Sequence, residues 1–131
     1  MMNQAALNQY QNISVQGAMT DASPHRMIAM QLDGVLDRVA SARGAMQRKE
    51  LGRKGELLSS AIAIIDSLRA SLNYELGGEI SANLASLYDY IERRLVEANM
   101  TSDVLLLDEV GSLLKELKMG WASIPADLRQ G

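Results

Sequence analysis

The sequence predicts an all-α protein, an antiparallel up-down four-helix bundle with an N-terminal cap segment. Proline occurs only at Pro24 and Pro125, so the intervening stretch lacks the residue that breaks helix interiors. Within this stretch apolar residues recur at steps of three and four in four segments, and no alternating strand pattern competes with them. The connections between the segments are short, which favours antiparallel neighbours.

Length and composition predict one domain. The chain has 131 residues and a mass of 14.3 kDa, with 47% hydrophobic and 22% charged residues. A chain of this size can bury a sizeable core without a metal or disulfide. We therefore expect a single domain over 1–131, in which 1–22 form a mobile cap, 23–125 the bundle and 126–131 a tail.

The first helix is predicted to begin at Ser23 and Pro24, because serine is a favoured N-cap and proline is favoured at the next position. A short basic turn bracketed by Gly52 and Gly55 is expected after it. The apolar seam of the first helix is Ile28, Leu32, Val35, Val39, Ala42 and Met46.

The second helix is predicted over about 54–76, and the pair Gly77-Gly78 supplies a left-handed stop for it. Its apolar arc is wide, which is typical of a helix with more than one neighbour. The arc consists of Leu57, Leu58, Ala61, Ile62, Ile64, Ile65, Leu68 and Leu72.

The third helix is predicted over about 79–99, with Asn99 in the left-handed cap conformation, and Thr101 or Ser102 is predicted to cap the fourth. The third seam is Ile80, Leu84, Leu87, Ile91, Leu95 and Ala98. The fourth seam is Leu106, Val110, Leu113, Leu117 and Trp121. We expect the indole of Trp121 to be at least partly buried.

The residue inventory argues against catalysis, metals and cofactors. There is no cysteine, and the single histidine, His25, has Ala22 three residues before it, so the Glu-x-x-His motif of di-metal bundles is missing. We expect His25 to be a solvated surface residue. No glycine-rich phosphate loop follows a strand. The sequence therefore predicts a protein that is not an enzyme and binds no cofactor.

Charge and hydropathy narrow the partners and the location. The net charge is −3 and the pI about 5.1, which argues against nucleic acid. No apolar run is long enough to span a bilayer, and no positive region opens the chain as in a signal peptide. We therefore expect a cytoplasmic protein without membrane insertion.

The fourth helix carries more apolar residues than one seam uses. It opens with the run 104–107, which covers most of the helix circumference, so at least one side chain faces away from the seam. Leu105 and Leu107 are thus candidates for a groove that the N-terminal segment covers or a partner helix occupies. Tyr88 and Tyr90 flank the third seam and suit the rim of such a groove, as structural or as contacting residues.

The N-terminal segment supports this hypothesis. Residues 1–20 carry no charged side chain, and Leu7, Tyr10 and Ile13 punctuate them at spacings that fit one face of a short helix. A helix this short is not stable alone, so it must dock or remain mobile. These three residues complete the predicted partner-binding set.

The central stretch 65–80, Ile-Asp-Ser-Leu-Arg-Ala-Ser-Leu-Asn-Tyr-Glu-Leu-Gly-Gly-Glu-Ile, resembles the flagellin export chaperones of the FliS family. The continuation 83–91, the triplet 97–99, the tail residue Tyr10 and the pair Asp33-Gly34 strengthen the resemblance. One feature departs from the family, which usually has Leu-Tyr where this chain has Gln31-Leu32.

The resemblance implies a non-enzymatic chaperone with an N-terminal cap. It implies 1:1 binding of the disordered C-terminal segment of flagellin, protection against premature polymerisation, and delivery to the flagellar type III export gate. Tyr10 matches the tail tyrosine implicated in binding. The departure at Gln31-Leu32 keeps an alternative open, a chaperone or co-chaperone for another export substrate or regulator. Weak self-association through an exposed groove is a further alternative.

Overall fold

The computed structural model describes residues 23–72 and 77–123, and within these ranges the chain forms four α-helices. They are α1 (Pro24–Gln47), α2 (Leu51–Ala70), α3 (Glu79–Thr101) and α4 (Val104–Ala122). Each helix packs on its neighbour along the chain, and α4 packs back on α1. The predicted all-α four-helix bundle is confirmed, whereas the predicted cap segment lies outside the described residues.

Hydrogen bonds across the helix pairs establish the antiparallel directions. Gln31 on α1 donates to Ser67 on α2, and Arg38, further along α1, donates to Ser60, which lies earlier on α2. The same inversion relates α1 to α4, because Arg43 pairs with Asp108 near the start of α4. One end of the bundle thus carries the α1–α2 and α3–α4 connections.

The start of α1 is as predicted. The hydroxyl of Ser23 accepts a hydrogen bond of 3.2 Å from the backbone N–H of Arg26, and Pro24 occupies the first helical position. Ile28 is half-buried, and the rest of the predicted seam lies in the core, namely Leu32, Val35, Val39, Ala42 and Met46.

The second helix lies earlier in the chain than predicted. It begins at Leu51 because the turn is made by Lys49 at φ 61, so Gly52 and Gly55 belong to the helix. It ends at Ala70, where Ser71 caps it by bonding back to the Leu68 carbonyl. Gly77-Gly78 is therefore not its stop.

The α3–α4 connection also differs from the prediction. Ser102, at φ 53, adopts the left-handed conformation expected of Asn99 and closes the helix with a 2.8 Å bond from its N–H to the Ala98 carbonyl. Asp103 then caps α4 by accepting from the N–H of Leu105 at 2.9 Å. Neither Thr101 nor Ser102 provides this cap.

The core lies between the four seams, and it deviates from the predicted pattern on α3 and on α4. Ile80, predicted to face inward, is 69% exposed at the beginning of α3. On α4 the buried face includes Leu107 and Leu114 in place of Leu113 and Leu117, which are half-buried. The helix is therefore rotated about its axis relative to the predicted seam.

A reciprocal pair of hydrogen bonds, here named the end clasp, joins the start of α1 to the end of α4. The Nε2 atom of His25 donates to the Trp121 carbonyl and the indole N–H of Trp121 donates to the His25 carbonyl, each at 2.7 Å. The two rings stack with centroids 4.9 Å apart. The prediction of a solvated His25 is wrong, because Trp121 covers it. The partial burial predicted for Trp121 is confirmed.

At the opposite end of the bundle, a buried lysine on α2 bonds to the end of α3 and to the α3–α4 connection. Lys54 is 5% exposed, and its ammonium donates to the Asn99 carbonyl at 2.9 Å and to the Ser102 hydroxyl at 2.8 Å. A buried charge is tolerated only when such partners replace water. No buried side-chain nitrogen or oxygen lacks a partner in the part of the chain that the structure describes.

The seam between α3 and α4 is polar at its edge. The hydroxyl of Tyr90 donates to Glu109 at 2.9 Å, and the guanidinium of Arg94 donates to the same carboxylate at 2.7 Å. These bonds, from Arg94 above all, lower the pKa of Glu109 below its ordinary value of 4.5. The guanidinium of Arg94 also pairs with Glu97 at 2.9 Å.

We predict that Trp121→Phe lowers the free energy of unfolding by about 1–2 kcal/mol, because the aromatic ring remains while the His25 carbonyl loses its donor. Urea unfolding at neutral pH measures this change. Met119→Leu is the control, since Met119 is 72% exposed on the same helix end and should shift stability by less than about 0.5 kcal/mol. Equal stability of Trp121→Phe and the parent chain would contradict the end clasp.

We predict that Glu109→Gln destabilises the bundle above pH 4.5 and that the difference disappears in acid. The folded state lowers the pKa of Glu109 from 4.5, so the unfolded chain binds this proton more tightly than the folded chain. The stabilisation is therefore complete above 4.5 and is lost as the pH falls through the folded value. Thermal midpoints of both proteins between about pH 7 and pH 2.5 test this. A difference in thermal midpoint that does not change with pH would show that the Glu109 charge contributes nothing to stability.

Candidate partner-binding surface

Leu105 is the predicted partner-binding residue that the structure places most clearly on the surface. It is 72% exposed in the first turn of α4, between Val104, which packs on the core, and the buried Leu106. The expectation that one residue of the run 104–107 faces away from the seam is therefore confirmed. An exposed leucine beside a closed core can bury apolar area only against another chain segment.

Tyr90 is half-buried at the edge of the α3–α4 seam. Its hydroxyl is held by Glu109, and the guanidinium of Arg94 lies 5.7 Å from its ring centroid. The hydrogen bond to Glu109, with partial desolvation, raises the pKa of the Tyr90 hydroxyl. The ring edge is thus fixed in position beside α4, as the predicted rim requires.

Tyr88 and Leu107 lie in the core and not at a rim or in a groove. Tyr88 is 2% exposed and Leu107 is 1% exposed. Burial raises the pKa of the Tyr88 hydroxyl. The physical reason is helix rotation, which turns Tyr88 on α3 and Leu107 on α4 towards the bundle axis. A partner that leaves the bundle closed does not reach either side chain.

Leu7, Tyr10 and Ile13 lie outside the described residues, so their partner-binding role stays a prediction. The structure adds only the place where their segment joins the bundle. Ser23 starts α1 at the end that carries Trp121, through the end clasp. Ser23, which follows this segment, therefore lies at the end of the bundle opposite the start of α4, where Leu105 lies.

Sequence reasoning did not single out five other exposed apolar residues as surface. They are Leu51, Ile80, Val96, Met100 and Met119. Val96 and Met100 lie one turn apart on α3, outside its predicted seam, which is the signal that could have identified them. The remaining three stand in the first or last turn of a helix, where a seam pattern does not determine burial.

A depression on α3 is open to solvent and is lined by Ser86, Asp89, Glu92, Arg93 and Val96, all from one helix. Residues 23–72 and 77–123 contain no cluster of histidine, aspartate and glutamate that could hold a metal ion. Over the same ranges no helix combines the length and apolar character needed to cross a bilayer.

Comparison with known proteins places the chain in one family. The family model described as "Flagellar protein FliS" matches residues 6–128. Flagellar secretion chaperone FliSB of Pseudomonas aeruginosa is 50% identical over 119 residues, which span 91% of this chain and 94% of that protein. Flagellar secretion chaperone FliS of Salmonella typhimurium is 41% identical over 125 residues, which span 95% and 93% respectively.

The similarity extends to more distant relatives. Flagellar secretion chaperone FliS of Bacillus subtilis is 33% identical over 106 residues, covering 81% of this chain and 78% of that protein. All three matches therefore cover most of the described bundle. The all-α bundle, the exposed apolar residues on its surface and these matches lead to one conclusion: the chain belongs to the FliS family of flagellar proteins.

Proposed function

We propose that this chain is a flagellar export chaperone that binds the C-terminal segment of flagellin, in a 1:1 complex, on the outside of its closed bundle. Membership of the FliS family and relatives named flagellar secretion chaperones support the general role. The flagellin segment is the client that the resemblance of the stretch 65–99 implies. The chain would act by binding alone, without catalysis or a cofactor.

The observation that carries the proposal is a satisfied core beside exposed apolar side chains. In the described residues the core is filled by buried apolar side chains and has no unpaired buried side-chain polar atom, so it offers a client no group to bind while the bundle stays closed. Leu105, by contrast, is open to solvent on α4, and the ring of Tyr90 is fixed at the adjoining α3–α4 edge. A client helix laid against α4 would bury both.

The N-terminal segment is proposed to cover part of this surface in the free protein. Leu7, Tyr10 and Ile13 are its apolar residues, and none of residues 1–20 is charged. A client that uses the same apolar surface must displace them. This cover has to be weak, because tight cover would lower the apparent affinity for the client in proportion to the fraction of open molecules.

The energetics favour a long surface over a pocket. Ordering a disordered client costs about 2–5 kcal/mol or more, which a small contact cannot offset. A client that extends along several turns of α4 buries more apolar area. Flagellin bound in this way in the cytoplasm could not polymerise early. The complex would travel to the flagellar export gate, where release of flagellin needs no nucleotide.

A second candidate is a chaperone or co-chaperone for another export substrate or regulator. The observation behind it is Gln31, whose amide donates to Ser67 at 3.0 Å across the α1–α2 seam. The polar Gln31 stands where the resembled family usually has an apolar residue, so this seam offers a client a different surface. Binding to flagellin separates the two candidates.

We predict saturable 1:1 binding of a synthetic flagellin C-terminal segment, and about tenfold or more weaker binding by Leu105→Ser, because burial of a leucine contributes about 1.5–3 kcal/mol. Titration calorimetry measures both. Leu51→Ser is the matched control, since Leu51 is likewise an exposed leucine in the first turn of its helix, but on α2, away from the α3–α4 seam. No binding by the parent chain would favour the second candidate. Equal losses of affinity in both variants would show that Leu105 is not part of the binding site.

A further inference from the structure

The seam between α2 and α3 carries a surface that the proposed flagellin contact does not use. At the end of this seam nearest the helix connections, Lys54 bonds to the Asn99 carbonyl. A Cβ added to Gly55 would lie 3.9 Å from the Asn99 side chain. Because Gly55 has no side chain, α2 places no side chain in the seam at this point. We name the surface along this seam the α2–α3 groove.

The half of the groove nearest the helix connections is apolar. Leu51 lies one turn before Gly55 on α2, and Val96 and Met100 lie one turn apart on α3, beside Asn99. All three are exposed, and Met100 reaches 81%. Three exposed apolar side chains on two adjacent helix ends form a patch that a partner can cover.

The other half is acidic and built around one guanidinium. Arg69 on α2 donates to Asp66 at 2.7 Å and also pairs with Asp89 and Glu92 on α3. Burial, followed by the adjacent Asp66, raises the pKa of Glu92, while its ion pair with Arg69 acts in the opposite direction. Arg93 lines the same depression, but it is exposed and forms no ion pair with these carboxylates in the described structure.

The two halves have a fixed separation. On α3, Asp89 lies seven residues before Val96 and Glu92 lies eight before Met100, about 10–12 Å at the rise of an α-helix, while Glu92 lies four residues before Val96. A helix that enters the groove would meet the same spacing, two turns between a charged and an apolar contact. Its charged residue must be positive to complement three carboxylates that share Arg69.

We propose that the α2–α3 groove docks a basic amphipathic helix of a partner protein, with a lysine or arginine at Asp89 and Glu92 and two apolar side chains at Leu51, Val96 and Met100. This surface lies on a different helix pair from Leu105 and Tyr90. It would let the chaperone hold a second partner, such as one that receives the complex, while α4 is occupied. The inference does not depend on flagellin being the client.

The test uses two model helices of 16 residues, made of alanine and glutamine with two leucines four residues apart. One has a lysine seven residues from the nearer leucine and the other has glutamate there, and each is made in both chain directions. Fluorescence anisotropy measures their binding to the full chain. We expect the lysine helix, in one direction, to bind about tenfold more tightly or better than its glutamate counterpart.

Variants locate the contact. The double variant Asp89→Asn with Glu92→Gln should abolish the difference between the two helices. Met100→Ser, at a position too exposed to affect folding, should weaken binding of both by about fivefold or more. Leu105→Ser is the control and should bind the lysine helix as the parent does.

Three results would overturn the proposal. They are equal binding of the lysine and glutamate helices, binding that is insensitive to Met100→Ser, and sedimentation showing that Met100 instead mediates pairing of two copies of this chain. The flagellin titration is independent of all three, since it depends on Leu105. Failure of the groove would therefore leave the flagellin proposal standing, and the reverse also holds.

Discussion

The packing of α4 on α1 closes the bundle, and the other contacts of the described structure depend on it. The remaining helix pairs are consecutive along the chain, whereas this pair joins its two ends. Burial of Val110 and Leu114 drives the contact, and the end clasp fixes its register by bonding His25 to Trp121. Arg43 with Asp108 and Lys118 with Asp33 add exposed pairs, each a minor contribution.

A closed bundle confines function to its outer surface. Closure buries Tyr88 and Leu107, which would otherwise be apolar contacts for a client, and it leaves Leu105 outside. Because Lys54 and the end clasp satisfy the polar groups at both ends, opening the bundle would expose unpaired donors and acceptors. Binding along the surface avoids this cost, which favours a client on α4 and a second partner at the α2–α3 groove.

Local signals allowed the sequence to predict much of the fold. The Ser23 cap and the α1 seam follow from propensity and period over a few residues, and both are confirmed. His25 was mispredicted because its partner Trp121 lies 96 residues away, beyond any local pattern. The turns were misplaced because Lys49 and Ser102, neither of them glycine, adopt positive φ. The Lys49 N–H bonds back to the Met46 carbonyl, and the Ser102 hydroxyl accepts a bond from Lys54 on α2.

The candidate site was only partly predictable for a similar reason. A run of four apolar residues indicates that one must face solvent but does not give the rotation of the helix, which neighbouring helices decide. The structure therefore selects Leu105 and not Leu107 from the run 104–107. Val96 and Met100 escaped notice because exposed apolar residues outside a seam are common and acquire meaning only beside the acidic groups across the groove.

Amide hydrogen exchange of the full chain, with and without the flagellin C-terminal segment, distinguishes binding on a closed bundle from opening of the bundle. Binding on the closed surface predicts faster exchange in residues 5–18 when the segment is added, since the client displaces them, and unchanged or slower exchange in the core turns around Tyr88 and Leu107. Slower exchange in 5–18 would mean that the N-terminal segment clamps the client. Faster exchange around Tyr88 and Leu107 would mean that the bundle opens to bind, which would contradict binding on a closed surface.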